Sequence, residues 1–416
     1  MQDNSRYAVG IDIGTSTVRC VVGHIDGSSG VPTVVGVGEA PNTGMRKGTI
    51  VHLQGPSDAI DVALGDAERM SGYEINEASM SINGAHILST KADGMIAVGS
   101  PDHQISQHDV TRVEEVATIG KIPANREVLD IVPYAFKLDG QDNIKDPIGM
   151  TGTRLEISAN VISALTPNME NLRRSAEIAK VLPRDIMPAV LGSARAVLTE
   201  SQLESGVAVI DMGSATTSLA IFEEGDLQYV AIVPFGGMHI TNDLAIGLKT
   251  DPVLAEEVKL KHGSAIVRTE SEGVSVKQGD EIISFETDII DDVVGARLEE
   301  IFEAVRDELK KAGRDGRLPS GVVLTGGGSN LEGITNYVRE FLGVAAQIGK
   351  PRGFSGVDDK VTTPEYAAAV GLMFADIEAA NKTSQPGRQA VSRQFGSNTV
   401  KSAINSIQNV FKKFKS

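Results

Sequence analysis

Tryptophan is absent from the 416-residue sequence, and aromatic residues make up only 4% of it. Base stacking on single-stranded nucleic acid therefore has little to work with. A net charge of −16 also disfavours loose attachment to phosphate backbones, so no nucleic-acid partner is expected. Cysteine is nearly missing: Cys20 stands alone, which excludes an internal disulfide and fits a reducing compartment. Within its apolar surroundings Cys20 reads as a small core residue. No apolar run approaches the length of a spanning helix, and the opening MQDNSRYAVG lacks a basic-then-apolar export pattern. A prenylation cysteine and a glycine at position two are lacking too. The expectation is a chain that is neither exported nor membrane-spanning. The common nucleotide loops are also missing: there is no GxxxxGK[ST], and no strand followed by GxGxxG and a helix.

What is present begins with an ordinary soluble balance, 41% apolar and 23% charged residues, in a chain long enough for two or three domains. Two stretches share one grammar. VGIDIGTSTVRCVVG, residues 9–23, and VAVIDMGSATTSLAIF, residues 207–222, each read as strand, tight Gly and hydroxyl turn, strand. Glycine lets backbone amides approach a phosphate oxygen, and Ser or Thr hydroxyls add donors. The first turn offers Gly14, Thr15, Ser16 and Thr17, the second Gly213, Ser214, Ala215, Thr216 and Thr217. Asp12 and Asp211 enter the two turns, and facing carboxylates beside a polyphosphate would hold Mg2+, mostly through its waters. Arg19, on the outgoing strand, has the reach of a phosphate ligand. Either hairpin alone also fits an ordinary turn between buried strands; the pair, each with an Asp and a hydroxyl cluster, is what argues for chemistry and for internal duplication.

The coarse reading is β-β-β-α-β over residues 9–85, with a helix at Ser57–Gly72 capped by Ser57. A small α+β insert follows to about residue 164, with one helix at 109–118. Thr166 and Pro167 open the next helix. Beyond the second hairpin come helices at 238–248 and 251–262, a β-rich stretch to Phe285, and a long helix over 288–312. That helix carries Ile289, Val293, Ala296, Ile301 and Val305 on one side. Gly326, Gly327 and Gly328 follow a strand, with Ser329 and Glu332 as a capping box on the next helix, an anion-favouring place for a ribose or α-phosphate. Glu256 and Lys259 stand one helical turn apart, as either a surface ion pair or contacts for an adenosine. A final apolar helix spans PEYAAAVGLMFADIEAA.

The last acidic residue is Glu378; seven basic residues lie beyond it, so this tail carries +7 and the rest −23. After a polar linker, NTVKSAINSIQNVFKKFKS places Val400, Ile404, Ile407, Phe411 and Phe414 on one helical face. Lys401, Lys412, Lys413 and Lys415 lie off it. A coiled-coil seam needs more heptads, and a helix docked on its own core needs no long linker. An interfacial membrane helix fits the acid-free basic face. Five half-immersed apolar residues contribute about 5 kcal/mol, and lysines near anionic lipid about 1 kcal/mol each. Ordering a short helix opposes this. Single copies would bind reversibly and arrays tightly.

In order, the two hairpins, the connecting segment and the glycine turn resemble the actin and DnaK-type ATPase superfamily. Stretches such as REVLDIVPYAFKLDGQDNIKDPIGMTGTRLE, VPFGGMHITNDLAIGL and AEEVKLKHGSA resemble more closely the FtsA family of bacterial actin-like cell-division proteins. The resemblance implies an α/β fold of duplicated actin-like (ribonuclease H-like) lobes around a nucleotide cleft, with inserted α+β subdomains and a C-terminal amphipathic helix. The first lobe would comprise residues 1–84 and 165–200, the second 201–230 and 313–380. Inserts would occupy 85–164 and 231–312, a linker 381–397 and the membrane helix 398–416. It assigns Asp12, Gly14, Thr15, Ser16 and Arg19 to one phosphate motif, and Asp211, Gly213, Ser214, Ala215 and Thr216 to the other. It also favours Glu256, Lys259 and Gly326 to Gly328 as adenosine contacts. It implies ATP and Mg2+, self-association into protofilaments, the inner face of the cytoplasmic membrane at the division site, and other division proteins as partners. One of these is the C-terminal peptide of FtsZ, whose acidic end Arg297 and Arg306 could meet. The connecting segment RDIMPAVLGSARAVLTE offers no Gln, Lys or His to position water, so hydrolysis is expected to be slow or marginal and no catalytic residue is assigned. A small-molecule kinase and a pilus-assembly adaptor are the competing readings; the first lacks a candidate base, and neither needs the basic tail.

In a lipid sedimentation assay the intact chain should pellet with anionic vesicles, and a chain ending at Ser397 should stay in the supernatant. Equal pelleting would remove the tail from membrane binding.

Overall fold

In the computed structural model, residues 6–25, 31–279, 281–356 and 359–383 are described. The chain opens with a meander of β1 (Arg6–Ile13), β2 (Thr17–Ile25) and β3 (Thr33–Pro41). Two short strands, β4 (Met45–Arg46) and β5 (Thr49–Ile50), precede helix α1 (Gln54–Ser71) and β6 (Glu77–Ile82). The α1 helix starts three residues before the expected Ser57. Pro56 is tolerated in a first turn, and the Ser57 hydroxyl donates back to Leu53 O at 2.7 Å, inside the helix rather than capping it.

The insert contains β7 (Leu88–Ala97), α2 (Gln107–Thr118), β8 (Arg126–Leu138), β9 (Gln141–Ile144) and β10 (Arg154–Leu165). Its sheet runs β7-β10-β8-β9, and α2 covers one face around Val110, Val113, Phe136, Leu155 and Ile157. Ser106 and Asp109 cap α2 reciprocally. Helix α3 (Thr166–Ile178) includes Thr166 as its first residue; Leu165 precedes it with no side-chain cap. Then come β11 (Leu182–Pro188), α4 (Ala189–Val197) and α5 (Glu200–Ser205).

The second half repeats the first. It has a meander of β12 (Val207–Met212), β13 (Thr217–Glu223) and β14 (Asp226–Val233). Helices α6 (Gly237–Gly247) and α7 (Pro252–His262) follow, then the hairpin β15 (Gly273–Gln278) and β16 (Glu281–Glu286), and the long α8 (Thr287–Lys311). β17 (Val322–Thr325), α9 (Ile334–Leu342), β18 (Ala346–Ile348) and α10 (Ala367–Thr383) complete it. One sheet runs β11-β6-β1-β2-β3 and the other β14-β13-β12-β17-β18. In both, an antiparallel meander begins at the central strand, whose other neighbour is parallel. The same order twice is the duplication that the hairpins predicted.

Alternation of side chains sorts the second sheet between two cores. Val207, Val209, Ala220 and Phe222 join the core of the first sheet, whereas Ala208, Ile210, Leu219 and Ile221 face α6, α7 and α8. On α8 the buried stripe is Ile290, Val294, Leu298, Ile301, Phe302, Val305 and Leu309. The sequence reading is therefore offset at its start: Ile289 is exposed and Val293 only partly buried. One residue is a 100° turn, and Leu298 and Phe302 carry the apolar line better than Ala296.

A second correction concerns α10. Residues 313–380 were expected to sit together in the second lobe, but α10 lies on the first sheet. Its Asp376 carboxylate accepts from Val9 N at 3.0 Å and Ser79 Oγ at 2.9 Å, and pairs with Arg184 at 2.6 Å. The helix also crosses α4 backbone to backbone: a Cβ on Gly371 would lie 1.7 Å from Gly192 O. Since α4 packs in turn on β12 and β13, this small-residue crossing joins the two sheets. The insert adds another tie, with Asn160 Nδ2 donating to Leu227 O at 2.7 Å and Lys145 paired with Asp226. Cys20 is fully buried in the first core, as expected.

Gly371→Ala should destabilise the protein by about 2 kcal/mol or more. Gly65→Ala, in α1 with open space around it, should stabilise it by about 0.5–1 kcal/mol. Opposite signs in denaturant melts check the crossing; equal melts would refute it.

Candidate functional site

The twin turns face each other across a cavity of about 880 Å³, within the range of small-molecule sites. Each turn closes by the same backbone bond, Gly14 N to Thr17 O at 3.1 Å and Gly213 N to Thr216 O at 2.9 Å. The equivalence follows from the repeated topology, because β1 with β2 and β12 with β13 are the same two strands of each sheet.

The cavity is lined by Asp12, Gly14, Thr15, Ser16, Thr17, Arg19, Asp211, Gly213, Ser214 and Thr216 at one end. Glu256, Lys259, Gly326, Gly327 and Gly328 line the same cavity, with Gly326 and Gly328 close against Asp211 and Met212. Ala215 does not reach it: the residue is fully buried, and its backbone lies outside the left-handed region, so the methyl is accommodated inward. Gly326 has φ +77°, and a Cβ there would come within 2.4 Å of Asp211 Oδ1, so only glycine fits.

The two aspartates are each held by a serine that sequence reasoning did not single out. Ser81 Oγ donates to Asp12 Oδ1 at 2.7 Å, and Ser193 Oγ to Asp211 Oδ2 at 2.6 Å. Ser81 stands on β6, beside β1, and Ser193 on α4, beside β12. Both contacts span many residues of chain and had no local signal. Burial pushes the Asp12 carboxyl above its usual range, against the Ser81 hydrogen bond and the Arg19 charge. Burial, aided by the negative Asp12, pushes Asp211 up to about 6, against Ser193 and Arg19. Two carboxylates that resist joint ionisation are a donor set suited to a cation. Among the described residues no group of three or more His, Cys, Asp or Glu could hold a metal ion. A cation here would complete its shell from water and phosphate, as Mg2+ does.

Arg19 is held by Glu39 at 2.8 Å and lies 5.3 Å from the centroid of the Tyr366 ring. Its Nε is buried and has no hydrogen-bond partner among the described residues. Asn42 and Asn83 also went unnoticed in the sequence. Asn42 Nδ2 donates to Gly14 O at 2.7 Å, and Asn83 lines the cavity with its buried Oδ1 unpartnered among the described residues.

Glu256 and Lys259 do form the i,i+3 ion pair, at 2.6 Å, and they also face the cavity. Thr241 joins them, accepting from Lys259 Nζ at 2.9 Å. The expected Ser329 capping box is absent. Residues Gly327–Asn330 form a 3-10 turn, in which Ser329 Oγ donates to Gly326 O at 2.7 Å, and α9 begins only at Ile334. The tight turn keeps Gly328 against Met212, where a Cβ would stand 2.8 Å from Met212 Cβ. Glycine backbone, rather than a helix N-terminus, therefore meets the cavity.

Arg297 and Arg306 are not among the lining residues of the cavity and are engaged within the chain. Arg297 pairs with Asp243 at 2.6 Å and with Glu300. Arg306 donates to Phe341 O and stacks 4.0 Å over its ring. Val400, Ile404, Ile407, Phe411, Phe414, Lys412, Lys413 and Lys415 lie outside the described residues. Among the described residues no helix is long and apolar enough to cross a membrane.

A family model described as cell division protein FtsA matches residues 208–371, and one described as the SHS2 domain inserted in FtsA matches residues 84–163. Cell division protein FtsA of Pseudomonas aeruginosa is 33% identical over 379 residues, covering 90% of each chain. That of Bacillus subtilis is 34% identical over 377 residues, covering 90% of this chain and 84% of the relative. Among solved structures, the PilM-PilN type IV pilus biogenesis complex aligns with a TM-score of 0.65 at 18% identity, covering 89% of this chain and 98% of that one. MreB5 of Spiroplasma citri bound to ADP aligns with a TM-score of 0.56 at 14% identity, covering 92% and 99%. The structural likenesses establish the actin-like fold, and the sequence relatives go further: this chain belongs to the FtsA family of cell-division proteins.

Proposed function

We propose that the chain binds ATP with Mg2+ between its lobes and works as a membrane-attached, self-assembling anchor in cell division. The observation that carries this reading is the convergence of two equivalent Asp-led turns on one cavity, with the glycine backbone of residues 326–328 beside them. Gly14, Thr15, Ser16, Gly213, Ser214 and Thr216 would surround the phosphates with backbone and hydroxyl donors. Asp12 and Asp211, steadied by Ser81 and Ser193, would hold Mg2+ through its waters, and the ion would offset the charge of the phosphates. Glu256, Lys259 and Gly326 to Gly328 would meet the nucleoside. Ala189 is the α4 residue that faces the cavity, so the connecting segment presents no proton acceptor there. Binding with slow or marginal hydrolysis follows, in which the nucleotide serves to clamp the lobes.

Around this core the family reading supplies the rest. Residues 398–416 would attach the chain to the inner face of the cytoplasmic membrane at the division site. Copies would associate into actin-like protofilaments, and the chain would tether FtsZ and meet other division proteins. The FtsZ C-terminal peptide would dock on the 231–312 subdomain, where its carboxylates would compete with Asp243 and Glu300 for Arg297.

The elevated Asp211 gives a signed test. Above the ordinary carboxyl range and up to about pH 6, the folded chain retains a proton that the unfolded chain has released. Nucleotide-free stability should therefore fall as pH rises through that window and level off above it. Asp211→Asn, which removes the buried charge, should raise the nucleotide-free melting temperature at pH 7.5 by about 2–5 °C. The same variant should lose Mg-ATP binding. In the unaltered chain, Mg2+-dependent ATP affinity should weaken as pH falls through about 6. ATP affinity that is unchanged by Asp12→Asn and Asp211→Asn would refute the site. For assembly, electron microscopy on a lipid monolayer should show filaments with ATP; none with or without ATP would refute self-assembly.

A further inference from the structure

The segment between β3 and α1 is pinned to both phosphate turns. On the first-lobe side, Asn42 N donates to Ser16 O at 2.8 Å and Asn42 Nδ2 to Gly14 O at 2.7 Å. The chain then folds into the β4–β5 hairpin, with Met45 opposite Ile50 and Arg46 opposite Thr49, leaving Lys47 and Gly48 as its tip. Both tip residues have positive φ, 50° and 76°. Such turns favour Asn-Gly, and a lysine in the first place carries a conformational cost. On the second-lobe side the tip meets the other turn: Gly48 is buried, and a Cβ there would stand 2.9 Å from Gly84 Cα and 3.1 Å from Thr216 Cγ2. One short strap from the first lobe thus touches both turns.

The charges at this end of the cavity are poorly matched to a triphosphate. Asp12 and Asp211 are acidic, and Arg19 is already held by Glu39. Lys47 is exposed and has no hydrogen bond or ion pair among the described residues. It is the chain neighbour of the residue that contacts Thr216, and a lysine side chain spans several ångströms on a flexible stem.

We infer that Lys47 is a phosphate-binding residue that reaches across the cleft to the terminal phosphate of a bound nucleoside triphosphate, with Gly48 as the positioning residue that seats the strap on Thr216. The inference rests on the cavity being a nucleotide site. The terminal phosphate is singled out because the strap touches both Asp-led turns, with Asn42 bonded to Gly14 and Gly48 set against Thr216. A strained backbone at Lys47 is then the cost of aiming that charge.

The test uses the purified full chain with Mg-ATP and Mg-ADP in equilibrium binding. Lys47→Gln should weaken ATP binding about tenfold while changing ADP binding less than about twofold, and Lys47→Arg should stay within about threefold of the unaltered chain for ATP. Gly48→Ala, which forces Thr216 or Gly84 to move, should produce the same selective loss of ATP. Melting temperatures of the Lys47 variants should match that of the unaltered chain, since the side chain is exposed. Unchanged ATP affinity in Lys47→Gln, or equal losses for ATP and ADP, would overturn the inference alone. Failure of the unaltered chain to bind ATP would overturn the nucleotide reading, and this inference with it.

Discussion

Two carboxylates held together out of bulk water, Asp12 and Asp211, are the constraint around which the molecule is arranged. Each ends the central strand of a five-stranded sheet, and each is fixed by one serine hydroxyl. Without a cation the arrangement is costly, because burial disfavours both charges and each raises the energy of the other. A fold selected for stability alone would place apolar residues there. The cost is coherent if a divalent ion completes the pair and supplies the missing positive charge.

Bringing the pair face to face requires the sheets to be joined closely, and the joint is made of small residues. Gly192 and Gly371 let α4 and α10 cross at backbone distance, so two helices fill the space beside two sheets. From there α10 connects distant parts of the chain. Ala368, near its start, faces the cavity, and Asp376 further along is bonded to Val9 and Ser79 at the back of the first sheet. The basic segment follows it in the sequence. α10 thus runs from the cavity along the first sheet.

Much of this was legible from local chemistry. Either Asp, Gly and hydroxyl turn alone also fits an ordinary turn between strands; it is the pair that points to two turns sharing one cavity. Their repetition announces two equivalent sheets, and Glu256, Lys259 and the glycines 326 to 328 line the same cavity as the turns. Local reasoning failed where local rules had competitors. Ser57 and Ser329 look like helix caps, yet both hydroxyls donate to backbone carbonyls within turns that close contacts require. The α8 stripe was misread by one residue because Ile289 and Ile290 are equally apolar and only packing distinguishes them.

The sequence by itself determined the strands, the turns, the duplication and the chemistry of the residues at the strand ends, since these depend on near neighbours and on backbone freedom. Only the tertiary structure decided which partners those residues meet. Ser81 and Ser193 reach their aspartates from other strands and helices, α10 joins the first sheet rather than the second, and Gly48 rests on Thr216 from the opposite lobe. These are contacts between segments far apart in the chain, set by how two sheets pack, and residue spacing alone does not encode them.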